Sequence, residues 1–415
     1  MASRGQHLVR ADRAFATGPG IVGWLVAPLF ARLVDQLHDR LAIGGIDSTL
    51  PDGSKRRVGF HAPGPVAVVH LRSWMGLVRL ATSGSVGWYK AWAAGEWTSP
   101  DPVPLFELFM ANAVALGDLA RAKGPMRIVN AIAHRLRDNA PVKARQNIAA
   151  HYDLGNDFYA AWLDPTMTYS SARFGVPGQD LQIAQQAKIG ALLDRLNLKS
   201  GDRLLEIGCG WGTLAIEAAR RGATVVGLTL STEQKAWADE RIAEAGLSDR
   251  IDIRLQDYRA IDERFDAVAS VEMVEAVGQR YWPDYLDCIA RNLRPGGHAA
   301  LQFISIDHRL FDDYAKSADF IQAYIFPGGM LIDEPRFEAL ARGRDLSWDD
   351  RNGFGSDYAE TLLEWRRRYD AAVAAGQLEE FDEAFHNLWR YYLMYCEGGF
   401  RGRGIDVAQV TMIRT

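Results

Sequence analysis

Cysteine is scarce in this chain of 415 residues. There are only three, Cys209, Cys288 and Cys396, an odd number whose scattered spacing fits neither a disulfide framework nor a metal site. We therefore predict free thiols in a reducing cytoplasm, and no metal site.

Long apolar runs are also missing, since no stretch reaches the roughly 18 consecutive apolar residues of a transmembrane helix. No signal peptide is visible. The formal net charge is −5, which argues against a nucleic-acid partner, because a protein that binds a polyanion normally has a clearly basic surface. We expect a cytoplasmic protein, at most associated with a membrane.

The length allows roughly two to three domains. Residues 1–115 predict a small α+β domain, because a turn at 51–53 lies between two alternating stretches and residues 66–72 favour a strand. The apolar segment 21–37 is more typical of a core or domain-contact helix than of a helix on a membrane surface. An α/β domain is predicted over residues 146–415.

A basic linker is predicted at residues 116–145. Positions 121–145 contain seven Lys and Arg residues but a single acidic residue, Asp138. These charges either form a solvated helix face or attract anionic lipid headgroups, at about 1 kcal/mol for each basic residue near the surface.

The sequence RLLEIGCGWG at residues 203–212 combines an apolar run, an acidic residue and three glycines. Its first five residues predict a short buried parallel strand. The glycines allow the chain to turn tightly against a ligand before a helix begins. This order is typical of a nucleotide-type site, but similar loops serve nicotinamide, flavin and S-adenosylmethionine (SAM).

Glu206, two residues before the first glycine, distinguishes among these cofactors. A carboxylate there suits a methyltransferase, in which it lies near the ammonium group of SAM. In a dinucleotide enzyme it would repel the pyrophosphate. The next strand also favours a methyltransferase, because it ends at Thr229 and not in the Asp or Glu that a nicotinamide enzyme uses for the ribose, roughly 20 residues past the glycines.

Residues 231–234 (STEQ) predict a capping box at the start of the next helix. In one interpretation Ser231 and Gln234 only cap this helix. In the other, Thr229 and Gln234 also bind the ribose and the amino acid part of the cofactor, and both interpretations can hold together.

Three more strands are predicted at residues 251–255, 265–270 and 297–304. The first of them ends at Gln256 and Asp257, where an edge of adenine can be hydrogen-bonded. The alternation of strands and helices predicts an α/β fold with a doubly wound parallel sheet, whose ligands lie beyond the carboxyl ends of the strands.

Residues 151–174 (HYDLGNDFYAAWLDPTMTYSSARF) are dense in aromatic and hydroxyl side chains and predict a lid over the site. The chain continues with LLEIGCGWG, VVGLTLSTEQ, QDYR, SVEMVEAVG, RNLRPGG, YIFPGG, FGSDYAETLLEW and YYLMYCEGGFRGRGIDVAQV. In this order the nine motifs resemble the cyclopropane-fatty-acyl-phospholipid synthase family, which includes the mycolic acid cyclopropane synthases. The resemblance covers residues 145–412, and residues 81–108 resemble the end of the amino-terminal domain of longer members.

Members of this family transfer the methyl group of SAM to a cis double bond of a lipid acyl chain. The resemblance thus implies a SAM-dependent methyltransferase with a Rossmann-like domain and a helical lid, acting on membrane phospholipids at the inner face of the membrane. It also implies that residues 1–115 contact lipid or a second subunit, as in a homodimer. Together with Glu206, the positions implied to bind SAM are Tyr169, Ser170, Gly208, Gly210, Thr229, Gln234, Gln256 and Asp257.

The family removes a proton from the resulting carbocation with a bound bicarbonate. Its Cys, Glu, His, Tyr and backbone Ile fall here on Ser171, Glu275, Gln302, Tyr358 and Ile304. The Glu, Tyr and Ile match, whereas the Cys and the His do not. In addition, Glu272 stands where the usual pattern has Gly. These departures leave the bicarbonate and the product open.

We hypothesise that Glu272 replaces the bicarbonate and lies beside Glu275 at the carboxyl edge of the sheet. Two buried carboxylates this close should not both be charged. We expect one ionised base and one protonated donor that is hydrogen-bonded to it, with Gln302 and Tyr358 orienting the pair. Alternatively, Glu272 points away into a salt bridge under the sheet.

The predicted function is therefore methyl transfer to an unsaturated phospholipid acyl chain, with a cyclopropane as the product. If Glu272 is the base, the product is instead a mid-chain methylene or methyl branch. Other classes are a nucleic-acid or small-molecule methyltransferase and a non-catalytic lipid-binding protein. The first is disfavoured because the Asn/Asp-Pro-Pro-Tyr-like turn of base methylases is missing after the fourth strand, and the last because the glycine loop and Glu275 are intact.

Overall fold

A computed structural model describes residues 4–9, 33–117, 154–316 and 319–415. The basic segment 121–145 and most of the apolar segment 21–37 lie outside these ranges. Among the described residues, no helix is both long enough and apolar enough to cross a bilayer.

The described strands belong to two sheets. They are β1 (Gly45–Thr49), β2 (Lys55–Gly59), β3 (Val66–Leu71), β4 (Trp97–Thr98), β5 (Arg203–Ile207), β6 (Thr224–Thr229), β7 (Ile251–Leu255), β8 (Phe265–Val271), β9 (Leu293–Ile306), β10 (Asp349–Gly353) and β11 (Ile405–Ile413).

The described helices are α1 (Gln6–Val9), α2 (33–40), α3 (Met75–Ala93), α4 (Val103–Ala111), α5 (Ala113–Leu116), α6 (Asn156–Ala160), α7 (Leu181–Asp194), α8 (Thr213–Arg220), α9 (Thr232–Glu244), α10 (Trp282–Asn292), α11 (His308–Tyr314), α12 (Glu334–Arg342), α13 (Gly355–Ala374) and α14 (Glu383–Arg401). Short 3-10 turns lie at Tyr258–Ala260, Val274–Ala276 and Gln279–Tyr281, and a π-helix lies at Ile321–Ile325.

The chain divides into two compact units. The first combines the amino-terminal part of the chain with Arg309–Pro327 and Glu379–Ile405. Its sheet has the strand order β2-β1-β3-β4. The hairpin between β1 and β2 is antiparallel and confirms the turn predicted at residues 51–53.

Helix α14 is part of this first unit, and its Gly398 allows α4 to approach closely. A Cβ atom on Gly398 would lie 2.4 Å from Cβ of Phe106. The Tyr391 ring of α14 packs at 5.0 Å from Tyr89 and at 4.8 Å from Phe320. Residues 309–327 and 379–405 therefore pack with the amino-terminal part, whereas the sequence analysis assigned them to the domain at 146–415.

The second unit contains a seven-stranded sheet with the order β10-β11-β9-β8-β5-β6-β7. The pairs β5–β6, β6–β7, β5–β8 and β8–β9 are parallel, and β10–β11 is antiparallel. The predicted doubly wound sheet is thus confirmed. The strand order changes direction at β5, which lies between β6 and β8, and the carboxyl ends of these strands are where such sheets bind ligands.

The core of this unit explains why its strands could be read from the sequence. Leu204, Val225 and Ala267 of three neighbouring strands are buried together with Leu192 of α7 and Leu214 of α8. Helices cover both faces of such a sheet, so its strands are continuous apolar runs.

Candidate active site

The glycine loop follows β5 as predicted. Gly208, Gly210 and Gly212 have φ angles of +83°, +52° and +84°, in the region that favours glycine. A Cβ atom on Gly210 would meet nothing within 4 Å, whereas a Cβ atom on Gly208 would lie 2.7 Å from Cγ of Met273. Gly210 is therefore the glycine that faces open space.

One cavity, here called the glycine-loop cavity, lies at the carboxyl ends of β5, β6, β7 and β8. The lid segment contributes Tyr169 and Ser170, and Glu272 lies at the cavity wall after β8. The cavity brings together all nine residues predicted to bind SAM, namely Tyr169, Ser170, Glu206, Gly208, Gly210, Thr229, Gln234, Gln256 and Asp257.

Glu206 is 3% exposed, and its Oε2 atom has no hydrogen-bond partner among the described residues. Burial raises the pKa of this carboxyl group to about 8, although the charge of Lys188 and a hydrogen bond with the backbone of Ala215 oppose the shift. A buried carboxylate oxygen without a partner destabilises the ionised form until a donor arrives. The site thus suits a ligand with a cationic group such as the SAM ammonium.

Lys188 is a buried cation of this cavity that the sequence analysis missed. Its Nζ atom donates to Oγ of Ser170 at 2.6 Å. Burial lowers the pKa of Lys188 to about 8, opposed by the charges of Glu272, Asp164 and Glu206. A signal was present in the sequence, since Lys188 falls on the buried face of α7 that Leu181 and Leu192 define.

The predicted capping box is only half formed. Oγ of Ser231 accepts the N–H of Gln234 at 3.2 Å, as expected. The Gln234 side chain does not complete the box, because its Oε1 atom accepts the Thr229 hydroxyl at 2.9 Å, and the Ser231 N–H donates to that hydroxyl instead. Thr229 and Gln234 are thereby held as a pair at the cavity wall.

Asp257, one of the two residues predicted to bind adenine, forms an ion pair within the protein. The Asp257 carboxylate accepts two hydrogen bonds from the Arg259 guanidinium, at 2.8 and 2.6 Å. Gln256, which precedes it, lines the same cavity.

Glu272 is held by three neutral donors. Its Oε1 accepts the N–H of Ser171 at 2.9 Å and Nε2 of Gln302 at 2.8 Å, and its Oε2 accepts the Tyr358 hydroxyl at 2.7 Å. This arrangement agrees with the expected position beside the cavity and not with the alternative of a salt bridge under the sheet. We call Ser171, Glu272, Glu275, Gln302 and Tyr358 the Glu272 cluster.

The backbone of Glu272 has a φ of +48°, in the left-handed region that costs a residue with a side chain more than glycine. This explains in physical terms why a glycine is easily accommodated here. A glutamate that persists in this conformation is held by its surroundings, in this case by the three donors.

Glu275 differs from Glu272 in its partners. Its Oε1 accepts the backbone N–H of Ile304, and its Oε2 has no hydrogen-bond partner in the described part of the chain. The predicted hydrogen bond between the two carboxyl groups is therefore not formed, because each turns to other donors. Desolvation raises the pKa of Glu275 to about 8, with the charge of Glu272 as the second cause.

Desolvation also raises the pKa of Glu272, but hydrogen bonds from Tyr358, Ser171 and Gln302 and the charge of Lys188 oppose that shift. Three donors stabilise the ionised form far better than one. The surroundings of Glu272 therefore favour its ionised form more than those of Glu275 do, and Glu275 is the member of the pair that holds a proton more readily.

Ser171 takes part through its backbone. Its hydroxyl donates to the carbonyl oxygen of Ala172 at 3.0 Å, while its N–H donates to Glu272. The family resemblance placed its side chain at the position of a bicarbonate ligand. The contact in the structure comes instead from the backbone N–H, which every residue except proline has.

Comparison with known proteins agrees with this geometry. The profile of the family described as mycolic acid cyclopropane synthetase matches residues 140–410. The chain belongs to this family. It is thus a SAM-dependent methyltransferase of the mycolic acid cyclopropane synthetase family, as the sequence motifs predicted.

Two curated relatives of this family member illustrate its range. The tuberculostearic acid methyltransferase UfaA1 of Mycobacterium tuberculosis is 40% identical over 349 residues, which are 81% of this chain and 80% of the relative. The cyclopropane-fatty-acyl-phospholipid synthase of Escherichia coli (strain K12) is 35% identical over 347 residues, which are 81% of this chain and 85% of the relative.

Solved structures of the family confirm the Rossmann-like fold. The mycolic acid cyclopropane synthase CmaA1 complexed with SAH and CTAB has a TM-score of 0.60 at 30% identity, over 65% of this chain and 98% of that chain. The cyclopropane synthase MmaA2 from Mycobacterium tuberculosis has a TM-score of 0.59 at 30% identity, over the same shares.

Proposed function

We propose that this protein transfers the methyl group of SAM to the cis double bond of an unsaturated acyl chain of a membrane phospholipid, and that Glu272 then accepts the proton. The product in this proposal carries a mid-chain methylene group. The observation that carries the proposal is the Glu272 carboxylate held by three donors at the wall of the glycine-loop cavity.

The cavity offers a matching group for each part of SAM. Glu206 would accept the ammonium group with the oxygen that now has no partner. Thr229 and Gln234 would bind the ribose and the amino acid part, and Gln256 and Asp257 would bind the adenine. When bound, SAM supplies an electrophilic methyl group, and the enclosing lid residues would exclude water from it.

Glu272 is suited to act as the base because its two oxygens differ. Within the described part of the chain, Oε1 accepts two hydrogen bonds, whereas Oε2 accepts one, from the Tyr358 hydroxyl. Oε2 therefore keeps a lone pair for a proton from the acyl chain. Glu275, protonated below about pH 8, adds no second negative charge that would compete for this proton.

A base fixed to the backbone reaches a defined part of the acyl cation. Ring closure requires that a methyl proton leaves while the methyl carbon bonds to the cationic carbon. Alternatively, a hydride first migrates and places the positive charge on the carbon that bears the methyl group. Loss of a methyl proton then forms a C=CH2 group, which is the mid-chain methylene. We propose that the position of Glu272 favours the second outcome, and the resemblance to a tuberculostearic acid methyltransferase supports it.

The test compares the wild type with Glu272→Gln and Glu272→Gly, with and without bicarbonate, in carbon-dioxide-free buffer. We expect a wild type that does not need bicarbonate, a Gln variant with intact SAM binding and almost no turnover, and a Gly variant that bicarbonate partly rescues. Mass spectrometry before and after mild hydrogenation identifies the product, because a methylene takes up two hydrogens and a cyclopropane does not. A wild type that needs bicarbonate, with an active Gln variant, would contradict the proposal.

Cyclopropane formation is the second candidate. It is supported by Glu275, Tyr358 and the backbone of Ile304, which match the bicarbonate-binding pattern, and by the relative from Escherichia coli. A product that resists hydrogenation would favour this candidate.

We propose further that the first unit and the basic segment 121–145 bind an anionic bilayer, which is where the substrate lies. The seven basic residues of that segment support this role. Co-sedimentation with vesicles of anionic or zwitterionic phospholipid tests it. Binding should be stronger to anionic than to zwitterionic vesicles, should weaken as salt is added, and should fall in the double variant Arg135→Gln, Arg137→Gln. Binding that is the same for both vesicle types, at high salt and in the double variant would refute the role.

A further inference from the structure

Two buried amide side chains connect the Glu272 cluster to β11. Gln409 of β11 is fully buried, and its Nε2 atom donates to Oε1 of Gln302 at 3.0 Å. The same Nε2 atom donates to the backbone carbonyl of Lys188 at 3.2 Å. On its other side, Oε1 of Gln409 accepts Nε of Arg195 at 3.4 Å.

These partners determine which way the Gln409 amide points. A backbone carbonyl can only accept a hydrogen bond, and a guanidinium can only donate one. The NH2 group of Gln409 must therefore face Lys188, and its carbonyl must face Arg195. A reversed amide would place two donors together on one side and two acceptors together on the other.

The orientation of Gln409 then determines that of Gln302. The NH2 group of Gln409 requires the carbonyl of Gln302 on its side, so the NH2 group of Gln302 faces the other way. There it donates to Oε1 of Glu272 at 2.8 Å and lies 3.5 Å from the carbonyl oxygen of Ser171, which is also an acceptor. All donors of this row point towards the carboxylate.

We propose that Gln409 is a positioning residue, which fixes the Gln302 amide so that Oε1 of Glu272 is occupied by a donor and Oε2 is left to take the proton. The proposal rests on the role of Glu272 as base. It gives a function to a glutamine that lies between the buried apolar residues Ala408 and Val410 of β11.

The groups that face Glu272 come from several elements. Tyr358 of α13 donates to it, Lys188 of α7 attracts it, and Glu275 of the turn after β8 repels it when charged. Gln302 of β9 and Ser171 of the lid contribute hydrogen bonds without charge. A change at Gln409 alters none of these three side chains, but it removes the hydrogen bond to the backbone carbonyl of Lys188. The experiment must therefore separate an effect that passes through Gln302 from one that passes through α7.

The test uses two substitutions that keep the size of the side chain. Gln409→Met removes the hydrogen bonds, so that Gln302 can rotate and present its carbonyl to Glu272. Gln409→Glu attracts the NH2 group of Gln302 away from Glu272. Both changes should raise the pKa of Glu272. The acidic limb of the kcat/KM profile for the lipid, measured at saturating SAM so that the titration of Glu206 does not contribute, should move to higher pH by about one unit, with unchanged SAM affinity.

The control is Thr411→Val, on the same strand. Thr411 also accepts a hydrogen bond from Arg195, at 3.3 Å, but among the described residues it forms no hydrogen bond with Gln302. Its acidic limb should stay in place. The double variant Gln409→Met, Gln302→Met should show no larger shift than Gln302→Met alone, because residues that act through one another are not additive.

The outcomes separate this inference from the proposed function. An unchanged acidic limb in both folded Gln409 variants, together with an inactive Glu272→Gln, overturns the positioning role and leaves the role of Glu272 intact. If Glu272→Gln is active and keeps its acidic limb, the base is another group. That result contradicts the proposed role of Glu272, and the positioning role of Gln409, which depends on it, is then contradicted as well.

Discussion

The hydroxyl of Tyr358 donates to Oε2 of Glu272 at 2.7 Å, although the two residues are 86 positions apart in the chain. This contact joins α13 to the carboxyl end of β8. It places a neutral donor on the one carboxylate oxygen that has room for a proton, so that Tyr358 both stabilises the ionised base and fixes its direction.

We expect Tyr358→Phe to lower kcat while leaving SAM affinity unchanged. The variant keeps the buried ring and loses a hydrogen bond to a charged group, which contributes about 1.5–3 kcal/mol, a factor of roughly 10 to 100. The measurement is turnover of vesicle lipid beside calorimetric titration of SAM. As the control, Tyr285→Phe loses a hydroxyl that bonds to Ser270 and not to Glu272, and should keep kcat. Equal losses in the two variants would show a general effect on packing.

The glycine loop is best tested at Gly210. A valine there would extend into the open space of the cavity, and we expect SAM affinity to fall by a factor of about 10 to 100 from steric overlap. The control is Gly246→Val, because Gly246 has a similar positive φ of +66°, has nothing within 4 Å of its Cβ position, and lies just after α9 and outside the cavity lining. Similar affinity losses in both variants would point to backbone strain. Gly208 is less suitable, since a side chain there would displace Met273.

Glu206 predicts a pH dependence of cofactor binding. Its pKa of about 8 means that the carboxyl group is protonated at neutral pH and must lose the proton to pair with an ammonium group. SAM affinity should therefore rise as the pH increases from 6 to 8, with release of a proton. Calorimetry at pH 7 in two buffers of different ionisation enthalpy measures that release.

In Glu206→Gln, the affinity should fall by about 10- to 100-fold and the proton release should disappear. Glu217→Gln is the matched control, because Glu217 is paired with Arg220 on the surface of α8. Proton release that is unchanged in Glu206→Gln would assign the titration to another group.

Much of the second unit could be predicted from local sequence. Strands β5 and β7 were predicted with the bounds that the structure shows, and β8 to within one residue. Strands buried on both faces are continuous apolar runs, and the glycine turn is required locally by positive φ angles. The position of Glu272 at the carboxyl edge of the sheet could also be predicted, because it required only that β8 end just before this residue.

The partners of these residues could not be predicted in the same way. Gln302 and Gln409 are 107 positions apart, and their contact depends on the register of β9 and β11, where a shift of one residue would turn either side chain to the other face. The contact between α14 and α4 depends on the close approach of the two helices at Gly398, and no local sequence pattern predicts this approach. Likewise, packing determines that Ser171 contacts Glu272 through its backbone N–H and not through its hydroxyl.

The protonated state of Glu275 predicts how stability depends on pH in the absence of ligand. In the folded protein its pKa is about 8, and in the unfolded chain it returns to its ordinary value of 4.5. Between these values the folded state binds a proton that the unfolded state does not bind, so the free energy of unfolding falls as the pH rises from about 5 to 8. Below about pH 4.5 both states are protonated and this contribution is constant.

Glu275→Gln removes this titration while it keeps a carbonyl oxygen for the Ile304 N–H. We expect the Tm of the variant, relative to the wild type, to increase by roughly 2–4 °C or more between pH 5 and pH 8. Differential scanning calorimetry at pH 5, 6, 7 and 8 measures the trend. Glu206 titrates in the same direction, so the variant should still lose stability with rising pH, but with a smaller slope. Glu338→Gln, which changes a glutamate paired with Arg342 on α12, should follow the wild type. If Glu275→Gln also follows the wild type at every pH, then Glu275 is ionised in the folded protein and Glu272 is the protonated partner.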